Sequence, residues 1–170
     1  MTDLEQFRQD KNELFAHETE SPLTPEQKQS FQGLKYFEPN SELVFHNLPL
    51  EKPEGDQLVQ IKTSAGDTEP YKKLGNVHFE VKGTVCKLTL YESVDNKNIF
   101  LAFKDDTNNS ETYHDGRYLE VEIEDGKVVE LDFNYAYNPY CAYNDKWRCP
   151  ITPPENALPV EINAGEKRFH

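Results

Sequence analysis

Apolar residues near the amino terminus have the spacing of helices. The capping box Thr2–Glu5 predicts the start of a first helix, and Leu4, Phe7, Leu14 and Phe15 carry one apolar face to about Ala16. The stretch Thr24–Gln27 repeats this start signal with a proline at the first helical position. It predicts a short second helix that ends by Gly33. The chain over 1–33 is therefore predicted to be a helical segment packed on the remainder.

From Glu42 onward, apolar and polar residues alternate, which is typical of strands with one buried face. The Asp125-Gly126 dipeptide favours a tight primed turn and predicts a hairpin between the last two strands before residue 134. A further strand is predicted at 158–163. The predicted strands before residue 134 are Leu43–Leu48, Gln57–Thr63, Val77–Val81, Val85–Glu92, Ile99–Lys104, Tyr118–Glu124 and Val128–Phe133.

This order of elements predicts an α+β fold that is mainly β. We expect one antiparallel sheet system, rolled into a barrel or folded as a sandwich, behind two amino-terminal helices. The length of 170 residues fits a single domain over 1–170. Within it the strands occupy 42–133, an ordered loop occupies 134–157, and the final strand occupies 158–163.

The segment Asp132–Asn156, called the central loop below, has neither a helical nor a strand period. Its prolines at 139, 150, 153 and 154 interrupt any backbone ladder. Its aromatic residues supply the apolar area that disordered segments lack. They are Phe133, Tyr135, Tyr137, Tyr140, Tyr143 and Trp147. We therefore predict an ordered loop that closes over one end of the sheet, with a ligand pocket beneath it.

The net charge of −13 and the pI near 4.8 bear on possible partners. Nucleic acids and anionic membrane surfaces would be repelled, so neither is an expected partner. No apolar run approaches the roughly 20 residues that cross a bilayer, and the first residues lack a secretory signal pattern. We therefore expect a cytoplasmic location. The acidity fits solubility, while a cationic ligand or a high-salt habitat remain alternatives.

Cys141 and Cys149 are the cysteines of the central loop. Their spacing lacks the close Cys pair of a structural zinc site, so no metal is predicted. A disulfide would fix the loop, but without an export signal the thiols are expected to be reduced and to pack as small apolar side chains. A nucleophilic Cys141 would need a base, and His114 is the imidazole considered for that role.

Two charged residues allow both a functional and a structural interpretation. Arg117 either holds a ligand carboxylate or forms an internal ion pair with Asp132 or Glu155. Glu155 follows two prolines that would hold it rigidly, which suits either a general base or a buried anchor. Signatures of nucleotide-binding loops, serine hydrolases and zinc proteases are absent from the chain, and no cofactor is predicted.

Three stretches resemble the DUF1684 proteins, a bacterial and archaeal family of unknown function. They are SPLTPEQKQSFQGLKYFEPN, ETYHDGRYLE and LDFNYAYNPYCAYNDKWRCPITPPENALPVEINAGEK. Where His114 stands the family pattern leads us to expect a small residue such as glycine, so any role of His114 would be particular to this chain. The resemblance implies no activity, cofactor or site residue.

Three hypotheses follow from the sequence. The first is a small-molecule-binding protein with a pocket between the sheet and the central loop, lined by Tyr113, Arg117, Asn134, Asn138, Tyr140 and Glu155. The second is an enzyme acting on a small acidic substrate, with Glu155 or Cys141 as base or nucleophile. The third is a structural or interaction module without a pocket.

Overall fold

The computed structural model describes residues 1–170 and contains two α-helices, α1 (Asp3–His17) and α2 (Pro25–Ser30). Both begin with the predicted capping boxes, in which the side chains of Thr2 and Thr24 accept hydrogen bonds from backbone N–H groups three residues later. Neither helix is long and apolar enough to cross a membrane.

Nine β-strands follow, and every pair between them is antiparallel. They form three sheets with the strand orders β1-β9-β8, β2-β3-β4-β5 and β6-β7, and one sheet curls into a half-barrel. This confirms the α+β, mainly β fold class. The strands are β1 Val44–Pro49, β2 Leu58–Lys62, β3 Thr68–Val81, β4 Thr84–Ser93, β5 Ile99–Phe100, β6 Ala102–Phe103, β7 Arg117–Tyr118, β8 Ile123–Glu124 and β9 Lys127–Asp132.

The main hydrophobic core is formed by the inward faces of β3, β4 and β9. Phe133, directly after β9, is fully buried, and its ring centroid lies 5.6 Å from that of Phe79 and 5.1 Å from that of Phe103. The central loop therefore starts from a fixed point in the core.

The hairpin at Asp125-Gly126 forms as predicted, with Glu124 opposite Lys127 and both turn residues at positive φ. Strand β3 is longer than the predicted Val77–Val81 and runs through Pro70 and Gly75, two residue types that usually interrupt strands. The pairing shifts at Gly75, where a Cβ atom would collide with the carbonyl oxygen of Glu51. A β-bulge at this glycine lets the strand continue.

The predicted strand Ile99–Lys104 is divided into β5 and β6. Continuing the register of β4 with β5 would place Thr89 opposite Ala102. Instead, the side chain of Asn156 lies between them, donating to both carbonyls at 2.9 Å and accepting from the Thr89 N–H at 2.8 Å. The predicted strand Tyr118–Glu124 is likewise reduced to β7 and β8.

The prediction of a final strand at 158–163 is wrong. The segment forms no strand ladder: Leu158 N–H donates to the Lys104 carbonyl just after β6 at 2.8 Å, and the later hydrogen bonds go to the turn that follows. Ile162 N–H donates to the Asp105 carboxylate at 2.6 Å, and Asp106 N–H donates to the Val160 carbonyl at 2.9 Å. The alternating pattern therefore reflects burial of Leu158 and Ile162 without sheet pairing.

Candidate functional site

The central loop is ordered and is held to the sheet edge by backbone hydrogen bonds. Ile151 N–H donates to the Lys62 carbonyl at 2.8 Å, and Ser64 N–H donates to the Cys149 carbonyl at 2.9 Å. Tyr118 and Tyr137 exchange backbone hydrogen bonds at 2.8 and 3.0 Å. The loop thus extends the sheet beside β2 and β7.

The amino-terminal helices pack on the outer side of this loop. The Phe15 ring of α1 meets the Tyr143 ring edge-on at 5.1 Å. Trp147 Nε1 donates to the Pro22 carbonyl at 2.9 Å, and Gln27 Nε2 donates to the Tyr143 carbonyl at 2.6 Å. The predicted pocket was bounded by the sheet and the central loop alone. The helices add a further side to this region that the sequence analysis did not include.

The largest of the well-defined cavities is a cleft of about 600 Å³ between α1, the end of β9 and the central loop. We call it the aromatic cleft. Five aromatic rings and the Leu14 side chain provide its apolar surface. Its lining consists of Phe7, Asp10, Lys11, Leu14, Phe15, Glu120, Glu130, Asp132, Tyr135, Tyr137 and Tyr140.

The aromatic cleft carries an excess of negative charge. Four of its lining residues are carboxylates, and Lys11 is its one cation. The Lys11 ammonium lies 2.5 Å from the carboxylate of Glu166, which is almost fully buried. Because that pair neutralises Lys11, the cleft presents mainly carboxylates to a ligand, although the Glu120 carboxylate also accepts from the Tyr137 hydroxyl.

A second depression, of about 390 Å³, lies on the other side of the loop and is called the thiol groove. Cys141 and Cys149 are both free thiols, and the backbone N–H of Cys141 points at Cys149 Sγ at 3.4 Å. The Tyr113 hydroxyl lies 3.6 Å from Cys141 Sγ. The groove is lined by Asn109, Thr112, Tyr113, His114, Cys141, Ala142, Tyr143, Asn144, Asp145, Arg168, Phe169 and His170.

Hydrogen bonding separates the acidities of the two thiols. A hydrogen bond from the Cys149 thiol, helped by Tyr113 and Ser64 and opposed by burial and by Asp115, lowers the pKa of Cys141 to about 6. The same hydrogen bond, together with burial, raises the pKa of Cys149. Cys141 is therefore the more acidic thiol of the pair. His114 lines the groove, but its Nε2 lies 3.2 Å from the Asp115 carboxylate.

Arg117 does not reach either cavity. Its side chain is fully buried, and its guanidinium donates to the backbone carbonyls of Ala164, Glu166 and Ile162, the last at 2.9 Å. Its ion-pair partner is Asp105 at 3.6 Å, not the expected Asp132 or Glu155. The structure therefore does not support a contact between Arg117 and a ligand. Arg117 instead connects the backbone of 162–166 to Asp105 inside the protein.

The two asparagines of the predicted pocket are also buried. Asn134 Nδ2 donates to the Asn40 carbonyl at 3.0 Å and to Asp132 Oδ1 at 2.9 Å. Asn138 Nδ2 donates to the Lys167 carbonyl at 3.1 Å. Both side chains therefore satisfy backbone and loop groups and face neither cavity.

Glu155 lies at the surface, apart from both cavities. Burial alone would raise its pKa, but the hydrogen bond from the Tyr91 hydroxyl and the nearby Lys73 and Lys87 together lower it. A carboxylate with a lowered pKa is a weaker base, so the geometry does not favour Glu155 as a general base.

The predicted site residues are thus divided. Tyr140 lines the aromatic cleft, and Tyr113, Cys141 and His114 meet in the thiol groove. Sequence reasoning missed Phe7 and Lys11 as site residues, although the apolar helical face had already marked Phe7 as a packing residue. No sequence signal marked Glu166, whose burial depends on contacts distant along the chain.

A family model and a solved structure each match most of the chain. The model of the family described as "Protein of unknown function (DUF1684)" matches residues 29–167. The chain belongs to the DUF1684 family. A DUF1684 assignment agrees with the resemblance in the motif stretches. The matched residues include the central loop and both thiols but leave out α1, which supplies Phe7 and Lys11 to the aromatic cleft.

A solved structure extends the similarity beyond the family match. It is the solution NMR structure of the uncharacterized protein from gene locus rrnAC0354 of Haloarcula marismortui, with 31% sequence identity and a TM-score of 0.72. The alignment covers 96% of this chain and 91% of that one. Among proteins with curated descriptions, none matches this chain. The relatives therefore support the fold and supply no activity.

Proposed function

We propose that this DUF1684 protein binds a small organic molecule in the aromatic cleft, and that the ligand combines an aromatic or apolar body with a positive charge. The observation that carries the proposal is a cleft of about 600 Å³ with five aromatic rings and four carboxylates in its lining. Its volume falls within the range of about 300–1,000 Å³ that is usual for small-molecule sites.

The rings account for the apolar part of the ligand. The exposed fraction of both Phe7 and Tyr140 is 37%, which is high for aromatic side chains on a folded domain. The Phe7 ring lies 5.0 Å from the Tyr135 ring, so these two rings form one continuous part of the cleft surface. A bound apolar group would remove that surface from water.

The carboxylates account for the sign of the ligand charge. Asp10, Glu120, Glu130 and Asp132 surround the rings, and Lys11 is already neutralised by Glu166. A cation is attracted both by these carboxylates and by the faces of the aromatic rings. An acidic ligand, which the sequence had suggested through Arg117, would be repelled here.

The proposal predicts a ligand-dependent rise in melting temperature that depends on ligand charge. In a thermal-shift screen, aromatic amines and quaternary ammonium compounds should stabilise the wild-type protein, while aromatic carboxylates should not. A ligand at about a hundred times its Kd adds about 2.7 kcal/mol to the free energy of unfolding.

Two variants test whether the ligand binds in the aromatic cleft. Tyr140→Ala should lose most of the ligand-induced shift, because it removes a ring of the cleft that packs at the surface. Leu58→Ala, which trims an exposed residue of β2 outside the cleft, should keep the shift. Equal stabilisation by amines and carboxylates, or an undiminished shift in Tyr140→Ala, would contradict the proposal.

A further inference from the structure

Cys141 and Cys149 form a pair whose geometry is separate from the aromatic cleft. Tyr140 and Cys141 are neighbours on the short 3-10 turn Tyr140–Ala142, yet Tyr140 lines the cleft and Cys141 lines the thiol groove. Cys149 Sγ accepts a hydrogen bond from the Cys141 backbone N–H at 3.4 Å, and Cys149 is buried. The Cys141 thiol is therefore accessible from the thiol groove, and the Cys149 thiol lies buried next to it.

We propose that Cys141 and Cys149 are a redox-active dithiol that exchanges with small disulfides bound in the thiol groove. Cys141 is the attacking sulfur, because it lines the groove and its Sγ lies 3.6 Å from the Tyr113 hydroxyl, whereas Cys149 is buried and does not line the groove. Cys149 is the resolving sulfur. This activity uses different residues from the proposed ligand-binding function and does not depend on it.

The exchange has two balanced steps. The Cys141 thiolate attacks one sulfur of the small disulfide, whose S–S bond breaks, and the first small thiolate leaves and takes a proton from water. The Cys149 thiol then loses its proton, and its sulfur attacks the Cys141 sulfur of the mixed disulfide. The second small thiolate leaves and is protonated. The small disulfide is reduced to two thiols, and the cysteine pair is oxidised to a disulfide.

The electrostatics of the groove indicate the kind of disulfide. Its lining residues include Arg168, His170 and Asp145. The Arg168 side chain is exposed and belongs to none of the arginine ion pairs of the structure. A groove with both signs of charge fits a small disulfide that carries carboxylate and ammonium groups, as glutathione disulfide does.

The affinity of the Cys141 sulfur for a proton depends on all groups that face it. The polar side chains of Cys149, Tyr113 and Ser64 lower the pKa of Cys141, while burial and the negative charge of Asp115 raise it. A thiolate fraction that is already large near neutral pH speeds attack on a disulfide. The remaining cysteine, Cys86, is buried in the core, and burial raises its pKa.

The test incubates the reduced full-length protein with glutathione disulfide near neutral pH, quenches with acid, and measures intact mass and disulfide-linked peptides. Wild type should lose the mass of two hydrogen atoms and contain a Cys141–Cys149 disulfide. Cys149→Ser should stop at one glutathione attached to Cys141. Cys141→Ser should react at least about tenfold more slowly, because its remaining thiols are largely protonated. Cys86→Ser is the matched control and should react like wild type.

Several results would overturn the proposal. These are an unchanged rate in Cys141→Ser, no trapped adduct in Cys149→Ser, or a wild-type protein that keeps glutathione and forms no internal disulfide. Alkylation of Cys141 by iodoacetamide in the wild-type protein adds a readout that needs no cysteine variant. Its rate should rise with a midpoint near pH 6, and Tyr113→Phe should move that midpoint upward by removing a donor to the thiolate. A midpoint at the ordinary value for cysteine would also overturn the proposal.

Discussion

The side chain of Asn156 takes the place of a backbone ladder between β4 and β6. It is fully buried and makes three hydrogen bonds to the backbone groups of Thr89 and Ala102. These groups would pair with each other if β4 and β5 continued in register. Asn156 thereby joins the carboxyl end of the central loop to the core sheet.

Asn156→Ala should therefore be strongly destabilising. The substitution leaves three buried backbone groups without a partner, and we expect a loss of about 3 kcal/mol in the free energy of unfolding. Urea unfolding measures the loss. Asn163→Ala removes an asparagine whose amide makes only a 3.4 Å contact to Glu161, and should change stability by less than about 0.5 kcal/mol. An Asn156→Ala protein as stable as wild type would refute this role.

At the scale of residues, the sequence predicted chemical types better than contacts. It allowed for an internal ion pair of Arg117 but named Asp132 and Glu155 as partners, whereas the structure pairs it with Asp105. A lone arginine indicates that a carboxylate is needed, yet several carboxylates qualify. Asp105 lies close to Arg117 because both side chains bind the backbone of Ile162, a contact between segments distant along the chain.

At the scale of elements, α1 is held to the central loop by a small cluster of side chains. Phe15, Leu23 and Tyr143 are its buried members, and Leu14, Phe31, Leu34 and Phe169 pack around them. Outside this cluster, α1 is held by the Lys11–Glu166 ion pair and by the Arg8 guanidinium, which donates to the carbonyls of Phe37 and Asn134 at 3.3 and 3.5 Å. The wall of the aromatic cleft that α1 provides therefore depends on this cluster.

Phe15→Ala should detach α1 while leaving the sheets folded. The change removes a ring that is 1% exposed, and deletions of this kind cost about 3–5 kcal/mol. Hydrogen exchange should become much faster in α1 and change little in β3 and β4. Phe7→Ala, which removes a half-exposed cleft ring from the same helix, should leave the protection of α1 nearly unchanged. Equal loss of protection in α1 and in the sheets would contradict this arrangement.

The elements that were predicted correctly had strong local signals. The capping boxes and the Asp125-Gly126 hairpin are specified by residues close together in sequence. The first part of β3 was missed because Pro70 and Gly75 are typical of strand interruptions, and the bulge that accommodates Gly75 depends on the distant backbone of Glu51. The segment 158–163 has strand alternation, but the Asp105 turn takes its hydrogen bonds.

For the whole molecule, hydrophobic periodicity was sufficient for the fold class, and the motif stretches were sufficient for the family. The sequence patterns did not predict the position of the candidate site. The central loop was identified as one wall, but the opposite wall is α1, more than a hundred residues away along the chain. Sequence patterns describe each face separately and do not say which faces meet.

Binding of an organic cation in the aromatic cleft can be observed at the level of single residues. Amide chemical-shift mapping tests it most directly, with benzyltrimethylammonium as the cationic probe and phenylacetate as an anionic probe of similar size. We expect concentration-dependent shifts for the cation at Phe7, Leu14, Tyr135 and Tyr140, and no saturable shifts there for phenylacetate. Shifts confined to other surfaces, or equal shifts with both probes, would contradict it.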